Sequence, residues 1–411
     1  MRKDWKKALG AALWTLKWLL LAALVGLVCG FAGTGFHLAL EKAGELFGKH
    51  GWLLYLMPAA GAAIVLLYRL GCMPLNVGTD RVFESTRGEE GVPAQMAPLI
   101  FAGTFLTHLT GGSAGREGAA LQLGGSLACL IGRGLKLNEK EMRVIGMCGM
   151  AALFSALFGT PVAAAFFAIE VVDVGRVHYR ALFPCALSSL CAWELSRELG
   201  ASATRFALED GLMAAGPWSL ARLIVLAAAC GLMAILFCKV MHVSSDAAKK
   251  LLANDYLRTA ACALIVIALT LILGTRDYNG AGMGVIRRAL AGDAKPFAWA
   301  LKLVFTAVTL AGGFRGGEIV PTFFVGSTFG CALGPLLGLD PCLSAAVSMA
   351  ALFAGVTNAP VASVLIAAEM FGGKYLALFA LACAVSYLVS GKCSLYHSQR
   401  FWEEKYISDK E

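Results

Sequence analysis

Residues 111–117 read Gly111-Gly112-Ser113-Ala114-Gly115-Arg116-Glu117, and residues 312–318 read Gly312-Gly313-Phe314-Arg315-Gly316-Gly317-Glu318, a glycine-rich break ending in a glutamate and repeated at an offset of 201. Each break is followed by an apolar run and then by a second matching block. Ala151-Ala152-Leu153-Phe154, Pro161-Val162-Ala163, Ala168 and Glu170 recur 199 positions later as Ala350-Ala351-Leu352-Phe353, Pro360-Val361-Ala362, Ala367 and Glu369. Nine identities in twenty positions exceed chance even in an alanine-rich chain, so the chain is a duplication of one unit.

The unit belongs in a membrane. The 411 residues are 58% hydrophobic and 15% charged, with a mean hydropathy of +0.71, and the apolar load runs along the whole chain. A helix that crosses the hydrocarbon needs roughly 20 apolar residues. Candidate spans fall at 14–34, 52–69, 144–171, 180–194, 219–242, 258–273, 298–311, 342–370 and 375–391, whereas 96–110 and 119–131 are too short or too glycine-broken to cross alone. Such half-spans survive only where their loose backbone ends are buried in protein or line a cavity, which points to a pore or carrier rather than an anchor.

The opening Met1-Arg2-Lys3-Asp4-Trp5-Lys6-Lys7 reads as a cytoplasmic flank rather than a secretory leader, because the apolar run behind it is long and the rest of the chain is also membranous. The basic stretch from Lys239 to Arg258 lies between two apolar segments and also reads as cytoplasmic. It divides the chain into a first half at 1–240, a linker at 241–258 and a second, inverted half at 259–411, with both termini expected in the cytoplasm. Only about twenty residues follow the last apolar run, so no soluble regulatory domain is expected there. The net charge of +8 suits anion attraction, but positive-inside loops alone would produce it. Thirteen cysteines and six histidines are dispersed without metal-ligand spacing, and no HExxH, P-loop or nucleophile elbow occurs. No metal, cofactor or nucleic-acid partner is expected, and an enzyme using Glu117 and Glu318 as an acid/base pair would lack a nucleophile or metal to accompany them.

A duplicated membrane chain with a glycine break beside a short apolar segment in each half fits an inverted-repeat transporter, whose site lies near the midplane where interrupted helices meet. Each helix start leaves about four N–H groups unpaired and carries partial positive charge, so starts converging from both halves bind an anion without a full cation. Pro321 suits the first turn of a helix beginning after Glu318. A carboxylate near the bilayer centre costs at least about 2.5 kcal/mol, and a helix start returns about 0.3 to 1 kcal/mol, at most about 2. Glu117 and Glu318 are therefore expected to be functional. A glutamate at an anion-binding helix start occupies the anion's place when ionised and vacates it when protonated, which makes it gate and proton carrier together.

On these residues the chain resembles the CLC family of chloride channels and proton-coupled anion antiporters. Gly115-Arg116-Glu117-Gly118 is similar to the family's GREGP signature, with Ala119 in place of the proline. The resemblance implies an all-α membrane fold of CLC type, an inverted-topology repeat of tilted, broken and partly spanning helices, with Glu117 as the gating glutamate. It also implies a homodimer in the lipid bilayer with one pathway per subunit, the hairpins ending at Glu170 and Glu369 helping to build the interface and core.

Departures from the chloride-type pattern bear on the substrate. The GSGIP-type stretch aligns with Asn76-Val77-Gly78-Thr79-Asp80, which places Val77 where a serine would donate to chloride. The GxFxP-type stretch is replaced by Gly316-Gly317-Glu318-Ile319-Val320-Pro321, and the inner proton-path glutamate falls at Val171. Together these resemble the fluoride-exporting CLC-F subgroup, which implies fluoride moving out in exchange for protons moving in across a bacterial inner (plasma) membrane. Within that branch Tyr396 matches the central tyrosine whose hydroxyl meets the anion, Phe324 falls where an aromatic edge lines the pathway, and Val320 departs from a threonine hydroxyl. The expected anion-binding set is Val77, Gly78, Arg116, Gly118, Ile319, Val320, Phe324 and Tyr396, with Glu318 as a second carboxylate replacing the lost inner proton relay. A chloride or nitrate exchanger and a passive anion channel remain as alternative readings.

Overall fold

Two residues in the left-handed conformation decide how the longest apolar runs fold. The runs 144–171 and 342–370, each expected to be one span, are broken at Gly159 (φ 71°) and Asn358 (φ 55°) and restart at Pro161 and Pro360. Glycine adopts this conformation freely and asparagine tolerates it, while proline pre-sets the first turn of the helix that follows. The computed structural model describes residues 2–75, 77–89, 91–209, 211–212, 216–402 and 405. Asn76 lies outside them.

Sixteen helices are described. They are α1 (Arg2–Lys49), α2 (Met57–Leu70), α3 (Thr79–Arg87), α4 (Met96–Leu109), α5 (Glu117–Gly134), α6 (Glu139–Phe158), α7 (Pro161–Glu170) and α8 (Leu182–Glu198), then α9 (Pro217–Leu251), α10 (Asp255–Leu273), α11 (Met283–Leu290), α12 (Ala298–Ala311), α13 (Ile319–Leu333), α14 (Pro341–Thr357), α15 (Pro360–Phe371) and α16 (Leu376–Val389). Six helical stretches among the described residues are long and apolar enough to cross a membrane, and the half-spans expected at 96–110 and 119–131 are α4 and α5. The second eight helices repeat the first eight in order, short and long alike. That correspondence moves the junction between halves to the segment between α8 and α9. The basic stretch 241–258 is not a linker of that kind, because Met241–Leu251 continue α9 and α10 begins at Asp255.

Within each half the two central helices approach closely through small residues. A Cβ on Gly124 of α5 would lie 2.1 Å from the Gly149 carbonyl of α6, and one on Gly330 of α13 would lie 2.2 Å from the Ser344 carbonyl of α14. Apolar burial separates little between protein and lipid, so close backbone approach of this kind holds membrane helices together.

The repeated glutamates tie the halves to each other. Glu369, near the end of α15, accepts from Val162 N at 3.1 Å and Ala163 N at 2.8 Å at the start of α7. Glu170, ending α7, accepts from Val361 N at 3.0 Å and Ala362 N at 2.7 Å at the start of α15. Each carboxylate closes the open start of the other half's hairpin, where the N–H groups lack intrahelical partners. Glu170→Ala and Glu369→Ala are each expected to cost about 1–3 kcal/mol through stranded N–H groups. Thermal unfolding in detergent reads this as a lowered midpoint, and unchanged midpoints in both would rule the contact out as a significant tie.

Candidate functional site

The two glycine breaks meet as a short antiparallel bridge. Gly115 N donates to Gly317 O at 2.6 Å and Gly317 N to Gly115 O at 2.9 Å. No larger residue fits, because a Cβ on Gly317 would lie 2.4 Å from Gly118 N, and one on Gly115 would lie 2.4 Å from Glu117 Oε2. Since α5 starts at Glu117 and α13 at Ile319, the bridge sets the starts of two helices from opposite halves side by side.

Glu117 spans the junction. Its side chain is wholly buried, and Oε2 accepts from Arg116 N at 2.9 Å and from Val320 N at 3.2 Å. The carboxylate of the first half thus holds the first turn of the second half's helix, the place a bound anion would take. Oε1 makes no hydrogen bond among the described residues and lies 3.8 Å from Arg116 Nε. Arg116 is turned largely elsewhere, its Nη1 donating to His37 Nδ1 at 2.8 Å and its Nη2 to Leu157 O at 3.3 Å.

The other expected residues group around this point with one partial exception. Gly118 separates the breaks, since a Cβ there would lie 3.1 Å from Gly317 Cα and 3.5 Å from Glu318 Oε2, and its carbonyl accepts from Thr79 Oγ1 at 3.4 Å. Glu318 is the half-buried N-cap residue of α13, and Ile319 and Val320 form its buried first turn. Phe324 is wholly buried one turn beyond Val320, so the two share a helix face. Tyr396 is 5% exposed, its ring stands edge to face on Phe83 at 4.9 Å, and its buried hydroxyl has no hydrogen-bond partner among the described residues. The carboxylates of Glu318, Asp80 and Glu117 all lie within electrostatic reach of that hydroxyl. Gly78 caps α3 and lines the same cavity as Glu318 and Tyr396. Val77 is the exception: its carbonyl is held by Arg315 Nη1 at 3.3 Å, and it is not among the residues lining that cavity.

Tyr396 is positioned by the chain on either side of it. Ser398 donates from N and Oγ to Asp80 Oδ1 at 2.9 and 2.7 Å, and Gln399 Nε2 donates to Val171 O and Thr357 O at 2.7 and 2.8 Å. Beyond them β2 (Arg400–Phe401) pairs in parallel with β1 (Asp173–Val174). Four side chains near the site were not singled out by sequence reasoning: Asp80, Phe83, His37 and Lys302. Lys302 alone carried a visible signal, as a lysine inside an apolar helix.

Two cavities flank the meeting point of the breaks. The larger, about 500 Å³, is lined by Asp80, Glu318 and Tyr396 and by Lys249 and Arg258 where α9 ends and α10 begins. The smaller, about 10 Å³ and so about one water in size, is lined by Arg116, Val320, Phe158 and Phe323 and by Thr204 and Phe206 ahead of α9. Arg116 and Val320, whose N–H groups hold Glu117, belong to the smaller cavity, and Glu318, across Gly118, belongs to the larger. Among the described residues no group of three or more His, Cys, Asp or Glu side chains is placed to hold a metal ion.

Interrupted helices meeting head to head around a buried carboxylate, inside a multi-pass bundle, define a membrane transport protein. A family profile described as voltage gated chloride channel matches residues 60–391, and the chain belongs to the CLC family. It is 36% identical over 397 residues to a protein named chloride/fluoride channel protein from Pseudomonas syringae pv. tomato, covering 95% of this chain and 88% of that one. A crystal structure of a CLC-type fluoride/proton antiporter superposes with a TM-score of 0.91 at 32% identity, covering 94% of this chain and 98% of the other. A slow cyanobacterial chloride/proton antiporter shares the fold at a TM-score of 0.78 and 21% identity, covering 91% and 94%.

Gly317→Val should abolish anion flux in liposomes and lower the unfolding midpoint in detergent, because its Cβ would lie 2.4 Å from the Gly118 backbone N. Wild-type flux in this variant would show that the close approach is dispensable.

Proposed function

We propose that this chain exports fluoride in exchange for inward proton movement. One observation carries the reading: the Glu117 carboxylate occupies the start of α13, accepting from Val320 N. Ionised, it fills the position of an anion. Protonated, it loses the charge that the helix start favours and leaves, and the ion takes its place. One group therefore moves a proton and opens the path in the same step.

Fluoride is favoured over chloride by what stands near the site. Fluoride is small, strongly hydrated and a strong acceptor, so it needs compact donors at short range. The Val320 N–H, the Tyr396 hydroxyl, unpartnered among the described residues, and the rings of Phe83 and Phe324 are of that kind. The similarity to a protein named chloride/fluoride channel protein and to a fluoride/proton antiporter supports the same substrate.

Glu318 takes the inner proton step. Val171 has no ionisable group, and the Glu170 carboxylate is engaged with two backbone N–H groups of α15, whereas Glu318 faces the larger cavity. Lys249 and Arg258 line that cavity, which by the positive-inside rule supports its being the cytoplasmic side, in a bacterial inner membrane with both termini in the cytoplasm. The protein works as a homodimer with one pathway per subunit, the paired hairpins α7 and α15 presenting Val162 and Val361, each about half exposed, to the partner.

Liposomes loaded with fluoride or chloride test the substrate and the coupling together. Fluoride efflux should exceed chloride efflux and drive proton uptake, and Glu117→Gln should abolish the proton movement. Chloride flux equal to or above fluoride flux would make the chain a chloride exchanger, and fluoride flux without proton uptake in the unaltered protein would make it a channel.

A further inference from the structure

Lys302 is wholly buried in α12, an otherwise apolar helix, and the gating scheme does not use it. Its ammonium donates to Tyr278 O at 3.2 Å and Gly280 O at 2.6 Å in the turn before α11, and lies 5.3 Å from the centroid of the Phe324 ring. Among the described residues no carboxylate forms an ion pair with it. The neighbouring His108, buried and with Nε2 unpartnered among the described residues, does not balance it.

Two carbonyls and a ring satisfy the donors of the ammonium without neutralising it. An unpaired charge in the interior costs several kcal/mol, and a neutral donor would tie the turn at lower cost. We infer that Lys302 is a positioning residue that sets affinity for the transported anion, holding an uncompensated positive charge beside the route and acting through Phe324. This inference rests on the transport reading above.

The geometry explains how the ring transmits the charge. An aromatic ring is negative on its faces and positive at its edge, so an ammonium over one face fixes the ring's orientation and strengthens the positive edge. Phe324 lies one turn along α13 from Val320, whose N–H holds Glu117. Gly282 lets the backbone press on the ring, since a Cβ there would lie 2.6 Å from Phe324 Cδ2 and 3.6 Å from Lys302 Nζ, and its φ of 76° favours glycine. Thr306 and Thr309, one and two turns along α12 from Lys302, bond to Ser113 in the break that leads to Glu117. One stripe of α12 thus serves both the ring and the gate.

The test uses the full chain in liposomes, with initial anion efflux measured against internal anion concentration for the wild type, Lys302→Gln, Lys302→Met and Lys302→Arg. The anion is whichever one the wild type carries, so a wild type that moves chloride rather than fluoride refutes the substrate reading without touching this one. Apparent KM is expected to rise roughly tenfold in the Gln and Met variants, as loss of a partly screened nearby charge implies, and to stay within about twofold of wild type in Arg. The proton-to-anion ratio should not change, since Glu117 is intact. Should Met fail to fold, Gln carries the test because it keeps a donor for the two carbonyls. A wild-type KM in Lys302→Gln would reduce the residue to a clasp on the turn. Combining Lys302→Gln with Phe324→Leu should add little to the worse single effect, and fully additive losses would overturn the route through the ring.

Discussion

Everything at the centre of this molecule depends on two backbone segments touching where no side chain fits. The paired hydrogen bonds between Gly115 and Gly317 bring helix starts from opposite halves within reach of one carboxylate. Once they are that close, the partial positive charge of both starts falls on the same small volume, and a water-free interior does little to screen it. Glu117 answers that field from inside the chain. On the proposed reading the transported anion answers it from outside and competes for the same N–H groups.

The surrounding structure braces this arrangement through side chains that bond to backbone groups. Arg315 donates to Leu75 O and Val77 O, fixing the loop ahead of α3 against the second break. Glu170 and Glu369 lock the hairpins reciprocally through helix starts rather than through a charged partner, using the same chemistry as the gate in a permanent form. Glu117 differs in one respect: Oε2 is held by two N–H groups, while Oε1 has, among the described residues, only a guanidinium 3.8 Å away that is busy with His37 and Leu157. A carboxylate tied on one side is easier to release than one tied on both.

Much of this was legible in the residues. The doubled glycine breaks, the glutamates behind them and the proline-started hairpins repeat visibly, because each is a backbone requirement that few residue types meet. The half-spans α4 and α5 were legible for the same reason. The runs 144–171 and 342–370 misled, because hydropathy does not register one left-handed residue, yet Gly159 and Asn358 each end a helix. The boundary placed at 241–258 failed because charge marks where chain meets water, and α9 carries its basic end past that point as helix. Lys302 was visible as an oddity without a partner, since the turn carbonyls and the ring it serves are distant in sequence.

The sequence by itself determined the class of the molecule: a duplicated, membrane-embedded bundle with one acidic residue behind a glycine break in each half. Those are properties of composition and local backbone freedom, which survive being read one residue at a time. Only the tertiary structure decided that Glu117 reaches across to Val320, that Tyr396 stands over Phe83 with a free hydroxyl, and that Val77 presents its carbonyl to Arg315. These are contacts between segments up to several hundred residues apart. They are set by the packing of the two halves against each other, and no local pattern encodes that packing.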